Sequence, residues 1–331
     1  MINEKKPTVA LIYGGWGRES EVSIKGKAHI LPLIDQNTYN VLPIFIDKCG
    51  RWLIDGREIF LARGGFYYSE ASEFCPIDCA FPLLHGDFGE DGRVQGALEC
   101  ADVPFVGCDT AAGAVCRDKS FVKIIAKSLG IPTLPHICLY ADEGVDYAVR
   151  QAEMSLSYPM FIKPARLGSS VGIGLAESRE KLISALTTVF SLCDKAVVEP
   201  LLRCKRELEC GYFSVKSKEL FTIPGEILLD GCYDYDKKYL SGDVRLAVRA
   251  DVDSSVSGSI RECSRRLVRA LGVRDLARVD YFLTDRGLYF NEINTMPGFT
   301  KDSLYLKMIE AAGIIGEDAI NLLIESAISR V

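Results

Sequence analysis

The stretch ARVDYFLTDRGLYFNEIN near the C-terminus constrains this chain more than any other part of its sequence. Residues Ala277–Leu283 and Gly287–Ile293 are apolar runs of strand length, and Thr284-Asp285-Arg286 supplies a turn between them. The Met-Pro-Gly sequence that follows ends the second run. The pattern therefore predicts a β-hairpin in which each strand carries polar residues among apolar ones.

The polar residues of this hairpin are suited to binding a metal ion. Asp280 lies inside the first strand, and Glu292 and Asn294 close the second. Glu292 and Asn294 are two residues apart, so on a strand their side chains point to the same face. Three oxygen donors on paired strands suit a hard cation such as Mg²⁺. From this stretch alone, a hairpin whose polar residues simply face water remains an equal alternative.

The size and charge of the chain limit its class. The 331 residues are enough for two or three domains, and the net charge of −6, without a basic run, argues against a nucleic-acid partner. We find no apolar run of the ~18 residues that a membrane helix needs, so we expect no membrane association and a cytoplasmic location. The twelve cysteines are scattered and are expected to be reduced thiols.

The order of strand-like and helix-like segments predicts an α/β protein. The first third alternates strands and helices in the manner of a parallel sheet. Its strands are expected at 8–13, 39–47, 78–86 and 103–107, with helices from Glu21 and at 92–101. Further on we expect one helix at 111–129, strands at 136–140, 158–164 and 195–201, helices at 144–155, 178–192 and 254–271, and two C-terminal helices. Ser178 can cap the helix at 178–192, and Gly272 ends the helix at 254–271. A polar loop at 229–244 interrupts this pattern.

The sequence KPARLGSSVGIG, residues 163–174, follows an apolar strand and predicts a phosphate-binding loop. Glycine and serine let backbone N–H groups approach an anion closely, and Lys163 adds a positive charge at the strand end. The loop is not a Walker A motif, because no Gly-Lys-Ser/Thr ends it and a strand follows. The alternative is an ordinary flexible hairpin loop.

Two other stretches are weaker signals. In VVEPLLRCKRELECGYF, Glu199 ends an apolar strand and Glu207 follows eight residues later, a spacing that could serve the adenine and the ribose of a nucleotide, although exposed glutamates are common. In HGDFGEDGRVQG, four glycines surround His85 after a strand, at the edge where α/β sheets bind ligands. His85 is interpreted either as a structural hydrogen-bonding residue or as a substrate contact.

Taken together, these stretches resemble the ATP-grasp superfamily and, within it, the D-alanine–D-alanine ligase family. The matching segments are GGWGRESEVS, HGDFGEDGRVQG, KPARLGSSVGI, YDYDKKYLS, ARVDYF and NEINTMPGFT, in family order. The resemblance covers essentially the whole chain. It implies a three-domain ATP-grasp fold with an N-terminal αβ, Rossmann-like domain at 1–107, a central subdomain with the Gly/Ser loop at 108–199, and a C-terminal subdomain at 200–331 with the metal site and a lid at 229–244.

The resemblance also assigns roles to residues of the nucleotide and metal sites. It implies ligation of two D-alanines through an acyl phosphate, with ATP as a substrate and two Mg²⁺ (or Mn²⁺) ions. The metal ligands would be Asp280, Glu292 and Asn294. The ATP contacts would be Lys119, Lys163, Ser170, Glu199, Leu202, Glu207 and Lys238.

The D-alanine sites follow from the same resemblance. Glu21 would hold the ammonium of the first substrate, and Arg278 with the backbone N–H of Gly298 would stabilise the oxyanion. Ser169 and Tyr239 would link the loop to Glu21. The remaining substrate contacts would be His85, Lys238, Ser303 and Leu304. Arg117 stands where the family often has an apolar residue.

The nearest alternatives are a D-alanine–D-lactate or a D-alanine–D-serine ligase. The SLY sequence at 303–305 favours D-alanine as the second substrate, because the alternative ligases often carry Arg in its middle position. A nucleotide-binding regulator without turnover would be expected to lack a metal ligand or Arg278, and none is missing. The family resemblance also suggests a homodimer.

Overall fold

The computed structural model of the chain describes residues 6–202, 205–216, 218–228 and 245–330, whose named strands form three sheets. The strands of the first sheet are β1 (Thr8–Gly14), β2 (Asn40–Ile46), β3 (Trp52–Ile54), β4 (Arg57–Ala62), β5 (Gly65–Tyr68), β6 (Phe74–Pro76) and β7 (Cys79–Pro82). They lie in the order β6-β5-β4-β3-β2-β1-β7. The predicted α/β class is confirmed.

The sequence pattern predicted a parallel first sheet, and only part of that sheet is parallel. β1 pairs in parallel with β2 and β7, whereas β3 to β6 continue the sheet as an antiparallel meander. Asp55 and Gly56 connect β3 to β4 with positive φ angles of 49° and 79°, the conformation of a tight hairpin turn. The predicted strand at 103–107 forms only a single bridge, between Ala80 and Phe105.

Four helices lie along the chain before the second sheet: α1 (Ser20–Ile30), α2 (Arg93–Cys100), α3 (Thr110–Arg117) and α4 (Lys119–Ser128). The prediction of a single helix over 111–129 is wrong, because the helix is interrupted at Asp118. Asp118 has extended backbone angles, and its side chain accepts a hydrogen bond of 3.0 Å from the N–H of Ser120. An aspartate is a favoured N-cap, so it starts a second helix instead of continuing the first.

The second sheet contains four antiparallel strands in the order β10-β9-β11-β8. Its strands are β8 (Ile137–Tyr140), β9 (Met160–Pro164), β10 (Gly174–Ala176) and β11 (Lys195–Pro200), and its helices are α5 (Val145–Ser155) and α6 (Arg179–Phe190). Ser178 caps α6 as predicted by accepting a hydrogen bond from the N–H of Lys181. Both helices bury apolar side chains against the sheet, including Val149 and Leu186.

The third sheet has the order β15-β14-β12-β16-β17, with β13 also paired to β12. Its strands are β12 (Arg206–Val215), β13 (Lys218–Phe221), β14 (Gly225–Leu228), β15 (Arg245–Ala247), β16 (Leu276–Thr284) and β17 (Gly287–Asn294), followed by α8 (Leu304–Ala311) and α9 (Gly316–Ile328). The helix α7 (Ser254–Leu271) precedes β16. The predicted hairpin is confirmed as β16 and β17, and α7 ends at Gly272 in the left-handed conformation, as predicted.

Two hydrophobic cores each contain residues from different parts of the fold. Val122 and Ala126 of α4 lie in one core with Leu208 of the third sheet, while Ile320 of α9 lies in one core with Phe81 of the first. The proposed boundaries at 107/108 and 199/200 stay a prediction. Among the described residues, the helices are too short or too polar to cross a bilayer.

Candidate active site

A cavity of about 340 Å³ lies between the second and third sheets and the segments that follow β1 and β7 of the first sheet. Lys163 and the β9–β10 loop form one wall, the β16–β17 hairpin forms another, and the loop after β7 closes a third side. The cavity is lined by eleven of the predicted site residues: His85, Lys119, Lys163, Ser169, Ser170, Glu207, Arg278, Asp280, Glu292, Asn294 and Gly298. The structure therefore brings together residues that are up to 213 positions apart in the sequence.

The hairpin places the three predicted metal ligands on one face of the sheet. Asp280 is the cross-strand partner of Glu292, and Asn294 is that of Arg278. The Asn294 amide donates a hydrogen bond of 3.1 Å to Asp280. Directly opposed and diagonal positions on paired strands are close enough for their side chains to converge on one ion. The predicted common face of Glu292 and Asn294 is confirmed.

Two cations contact these carboxylates. Arg278 donates two hydrogen bonds of 2.8 Å to Asp280, one to each carboxylate oxygen. The Lys119 ammonium lies 3.3 Å from Glu292. Burial raises the pKa of Glu292, but Lys119, Lys163 and Arg278 outweigh it and hold that pKa below its ordinary value. Glu292 is therefore ionised at neutral pH.

The set of donors fits a hard divalent cation. Within the described ranges, no three His, Cys, Asp or Glu side chains are grouped as a metal site, and the predicted ligand set combines two carboxylates with the Asn294 amide oxygen. Carboxylate and amide oxygens are the ligands that Mg²⁺ accepts. Because Arg278 and Lys119 already contact Asp280 and Glu292, an ion would share these carboxylates with them.

The loop between β9 and β10 has the backbone of an anion-binding turn. Ser169 and Ser170 have φ angles of 48° and 60°, in the left-handed region. In such turns, successive backbone N–H groups can point into one concavity that suits an anion. The Lys119 ammonium donates a hydrogen bond of 2.7 Å to the carbonyl of Leu167 and so holds the loop near the hairpin. The loop lines the cavity above Lys163.

The corner of the cavity beside α1 contains Glu19, whereas the sequence analysis predicted a role for Glu21. Glu21 is exposed in the first turn of α1, whereas Glu19, the N-cap residue of that helix, lines the cavity. The Ser169 hydroxyl donates a hydrogen bond to Glu19, so the predicted link from the loop is present with a different acceptor. Gly86 permits this packing, because a Cβ atom there would lie 1.9 Å from the Glu19 carboxylate.

Arg117 and Glu90 complete this corner, and both were missed as site residues. The Arg117 guanidinium lies 3.3 Å from Glu90, 3.5 Å from Asp87 and 3.8 Å from Glu19. Burial raises the pKa of Glu90 to about 7, although Arg117 opposes the rise. The signal that could have identified Arg117 was its departure from the pattern of the family that the sequence resembles.

His85 is buried beside this corner. Its Nδ1 makes a hydrogen bond of 3.0 Å with the carbonyl of Met296, and its Nε2 is buried with no hydrogen-bonding partner in the described part of the chain. Burial lowers the pKa of His85, so its ring is neutral at pH 7. One ring nitrogen is thus structural, while the other is available to a ligand, which leaves both interpretations of His85 compatible with its position.

The two predicted nucleoside glutamates have different surroundings. Glu207 lines the cavity, 3.0 Å from the Lys205 ammonium. Glu199 is 1% exposed and lies behind the wall, in contact with Lys123 and Lys163. The sequence pattern could not distinguish these positions, because the lysine that accompanies Glu199 comes from α4.

The remaining predicted residues lie around the cavity or beyond the described part. The Ser303 hydroxyl hydrogen-bonds to Thr300 and packs against Gly298, where a Cβ atom would lie 2.8 Å from it. Leu304 is buried at the start of α8, and Leu202 is half-buried just after β11. Lys238, Tyr239 and the predicted lid at 229–244 lie outside the described residues.

Comparison with known families covers nearly the whole chain. Residues 8–108 match the profile described as D-ala D-ala ligase N-terminus, and residues 125–325 match the profile described as D-ala D-ala ligase C-terminus. A curated relative, the D-alanine–D-alanine ligase of Caldicellulosiruptor bescii, is 36% identical over 98% of this chain and 96% of its own length.

Solved structures of the same kind share this fold. The D-alanine–D-alanine ligase from Coxiella burnetii superposes with a TM-score of 0.86 at 30% identity, covering 98% of this chain and 94% of that one. The VanG D-Ala:D-Ser ligase from Enterococcus faecalis superposes with a TM-score of 0.89 at 29% identity, covering 98% and 100%. The predicted ATP-grasp fold is confirmed by these likenesses.

Proposed function

Because the chain belongs to the D-alanine–D-alanine ligase family, we propose that the cavity between its three sheets is the site at which ATP drives the ligation of two D-alanines. The product is D-alanyl-D-alanine, the dipeptide of peptidoglycan precursors. The observation that carries the proposal is the convergence of Lys119, Lys163 and Arg278 with Asp280 and Glu292 on one cavity. Three cations beside two carboxylates suit the transfer of a phosphoryl group.

The first step activates a carboxylate. A carboxylate oxygen of the first D-alanine attacks the γ-phosphorus of ATP, the bond from that phosphorus to the β–γ bridging oxygen breaks, and ADP leaves. Lys119 and Lys163 contact the phosphates under the Ser169–Ser170 turn. Glu19 receives the ammonium of this substrate, in place of Glu21, because Glu19 lines the cavity and Glu21 is exposed.

The second step forms the peptide bond. The neutral amine of the second D-alanine attacks the acyl carbon and forms the C–N bond. The nitrogen releases one proton to solvent, and the tetrahedral intermediate breaks its C–O bond to the phosphoryl group and expels phosphate. Arg278 and the N–H of Gly298, which both line the cavity, stabilise the oxyanion of that intermediate. Ser303, Leu304, Lys238 and Tyr239 are retained as contacts of the second substrate or of the loop, and His85 as a contact of the first.

Asp280, Glu292 and Asn294 would hold the divalent ions, Mg²⁺ or Mn²⁺, and we propose two of them. When bound, they offset the charge on the phosphates of ATP. Glu207 takes the ribose hydroxyls, and the chain around Glu199 and Leu202 meets the adenine. Ser170 contributes to the loop that covers the phosphates. We further propose a homodimer and, since the reaction uses ATP, a cytoplasmic location.

The experiment measures phosphate release from Mg²⁺-ATP with single amino acids and with pairs, and identifies the product by mass. We expect turnover with D-alanine alone and D-alanyl-D-alanine as the main product. Preferred formation of D-alanyl-D-serine, the activity in the printed name of the Enterococcus faecalis structure, would overturn the choice of second substrate. Preferred formation of the depsipeptide with D-lactate would do the same. Absence of turnover with every pair would overturn the assignment of the cavity.

A further inference from the structure

Lys123 is a fully buried lysine for which the mechanism above has no use. It is 0% exposed on α4, four residues after Lys119, so both lysines project from the same face of the helix. Its ammonium lies 2.7 Å from one carboxylate oxygen of Glu199. The other oxygen of Glu199 lies 2.6 Å from the Lys163 ammonium. One glutamate thus bridges two lysines from different elements.

This buried triad has an unusual charge. Burying an ammonium group is costly, and an apolar side chain of similar length would fill the same space without that cost. Burial would raise the pKa of Glu199, but Lys123 and Lys163 outweigh it and hold that pKa far below its ordinary value. Glu199 is therefore a carboxylate. Burial lowers the pKa of Lys123, but the Glu199 carboxylate 2.7 Å away opposes that shift and stabilises the ammonium form, so two positive charges face one negative charge.

The position of Lys163 brings the net positive charge of the triad to the cavity. Lys163 lines the cavity, whereas Lys123 and Glu199 lie behind it. In a simple Lys163–Glu199 pair, the carboxylate would cancel most of the field that the ammonium presents to the cavity. Because Lys123 neutralises Glu199 from the other side, the triad keeps a net charge of +1 facing the cavity, and the carboxylate still fixes the position of the Lys163 ammonium.

We propose that Lys123 is a positioning residue for ATP binding. Lys123 holds and neutralises Glu199, so the Glu199 carboxylate can orient Lys163 without cancelling the positive charge that Lys163 presents to the cavity. The inference rests on the proposed function, in which Lys163 contacts the phosphates. The ligand whose affinity depends on Lys123 is therefore a nucleoside triphosphate, although Lys123 does not touch it. Since α4 also carries Lys119, the same helix contributes to both cation positions of the phosphate site.

The test compares the affinities of the wild type and two variants for the non-hydrolysable analogue AMP-PNP with Mg²⁺, by calorimetry. Lys123→Met removes the charge and keeps the length, and we expect Kd to rise about tenfold. Glu199→Gln in the Lys123→Met background restores a net charge of +1, so we expect the double variant to bind more tightly than Lys123→Met. A lysine that merely filled the core would give no such rescue.

Two controls separate this effect from loss of stability. Lys127→Met removes an exposed lysine of the same helix, and Arg330→Met breaks the buried ion pair with Asp275, whose oxygen lies 2.6 Å from Arg330. We expect wild-type Kd from both, with a lower melting temperature only for Arg330→Met. If Lys123→Met does not fold, the double variant is compared with Glu199→Gln, and weaker binding by the double variant is then the expected result.

An unchanged Kd for folded Lys123→Met, or a double variant that binds no better than it, would overturn the inference. These outcomes are distinct from failure of the proposed function. If the wild-type protein releases no phosphate with D-alanine, the assignment of the cavity is wrong whatever Lys123 does. If it does turn over D-alanine, only the binding series decides the role of Lys123. The KM for D-alanine is expected to change less than twofold in Lys123→Met, because the triad acts on the phosphates.

Discussion

Ser169 donates a hydrogen bond to Glu19, 150 positions away in the sequence, and this contact joins the loop between β9 and β10 to the start of α1. Glu19 accepts this hydrogen bond at the start of α1. Gly86 has no Cβ atom and therefore does not clash with the Glu19 carboxylate. The loop proposed to cover the triphosphate is thereby connected to the residue proposed to hold the first D-alanine. Occupation of one site is expected to order the other.

Substitution of the two neighbouring glutamates tests which of them holds the first substrate. Glu19→Gln is expected to raise the KM of the first D-alanine at least about tenfold, because a charge-assisted contact with the ammonium is lost. Glu21→Gln is the matched control in the same turn and is expected to stay within about twofold. The measurement is steady-state phosphate release over a range of D-alanine concentrations. A larger effect from Glu21→Gln would return the role to the residue first predicted.

The hairpin offers a matched pair for the metal site. Glu292→Gln removes a ligand charge and is expected to lower kcat about 100-fold while preserving the fold, because the ions that offset the phosphate charge bind less tightly. Asp285→Asn changes an exposed carboxylate in the turn of the same hairpin and is expected to have no effect. Activity is measured as Mg²⁺ is titrated. Near-normal turnover of Glu292→Gln at limiting Mg²⁺ would contradict the assignment.

Glu90 makes stability depend on pH. Its pKa is raised by burial from an ordinary 4.5 to about 7, so the folded protein prefers the protonated form. Its contribution to stability is therefore fully present below about pH 4.5 and is lost as pH rises through about 7. Across that window, wild type should lose on the order of 3 kcal/mol relative to Glu90→Gln. Urea unfolding of both proteins at intervals of pH measures this difference, and parallel curves would exclude it.

Much of this structure follows from local patterns that the sequence displays. The hairpin, the Ser178 cap and the end of α7 at Gly272 were predicted because each depends on residues within one element. The meander from β3 to β6 was missed, although the Asp55-Gly56 turn is a local signal for a hairpin. Its strands are short, with only modest alternation of apolar and polar residues.

The site residues were harder to place, because their environments come from distant parts of the chain. Residues two apart on a helix point about 200° apart, so the onset of α1 decides whether Glu19 or Glu21 faces the cavity, and the motif contains both. Glu199 was expected to face the nucleotide because it ends a strand. Its carboxylate contacts Lys123 of α4, and no pattern in the sequence shows that this lysine reaches the end of that strand.

The break between α3 and α4 leads to a last prediction, because the residue that causes it is both a cap and half of a buried ion pair. Asp118 accepts hydrogen bonds from Ser120, and its carboxylate lies 3.1 Å from the Lys195 ammonium. Asp118→Asn keeps a good N-cap and removes the charge, which leaves Lys195 buried without its partner. We expect a loss of about 3 kcal/mol in the free energy of unfolding.

Asp118→Ala is expected to cost about 1 kcal/mol more than Asp118→Asn, because it also removes the cap. Lys195→Met in the Asp118→Asn background replaces the ion pair with neutral groups and should recover most of the lost stability. Denaturant unfolding of the three variants measures these differences. If Asp118→Asn is as stable as wild type, the ion pair contributes nothing, and the break must be fixed by the packing of α3 and α4 on the third sheet. The first turn of α4 carries Lys119, so Asp118→Ala is also expected to raise the KM for ATP more than Asp118→Asn does.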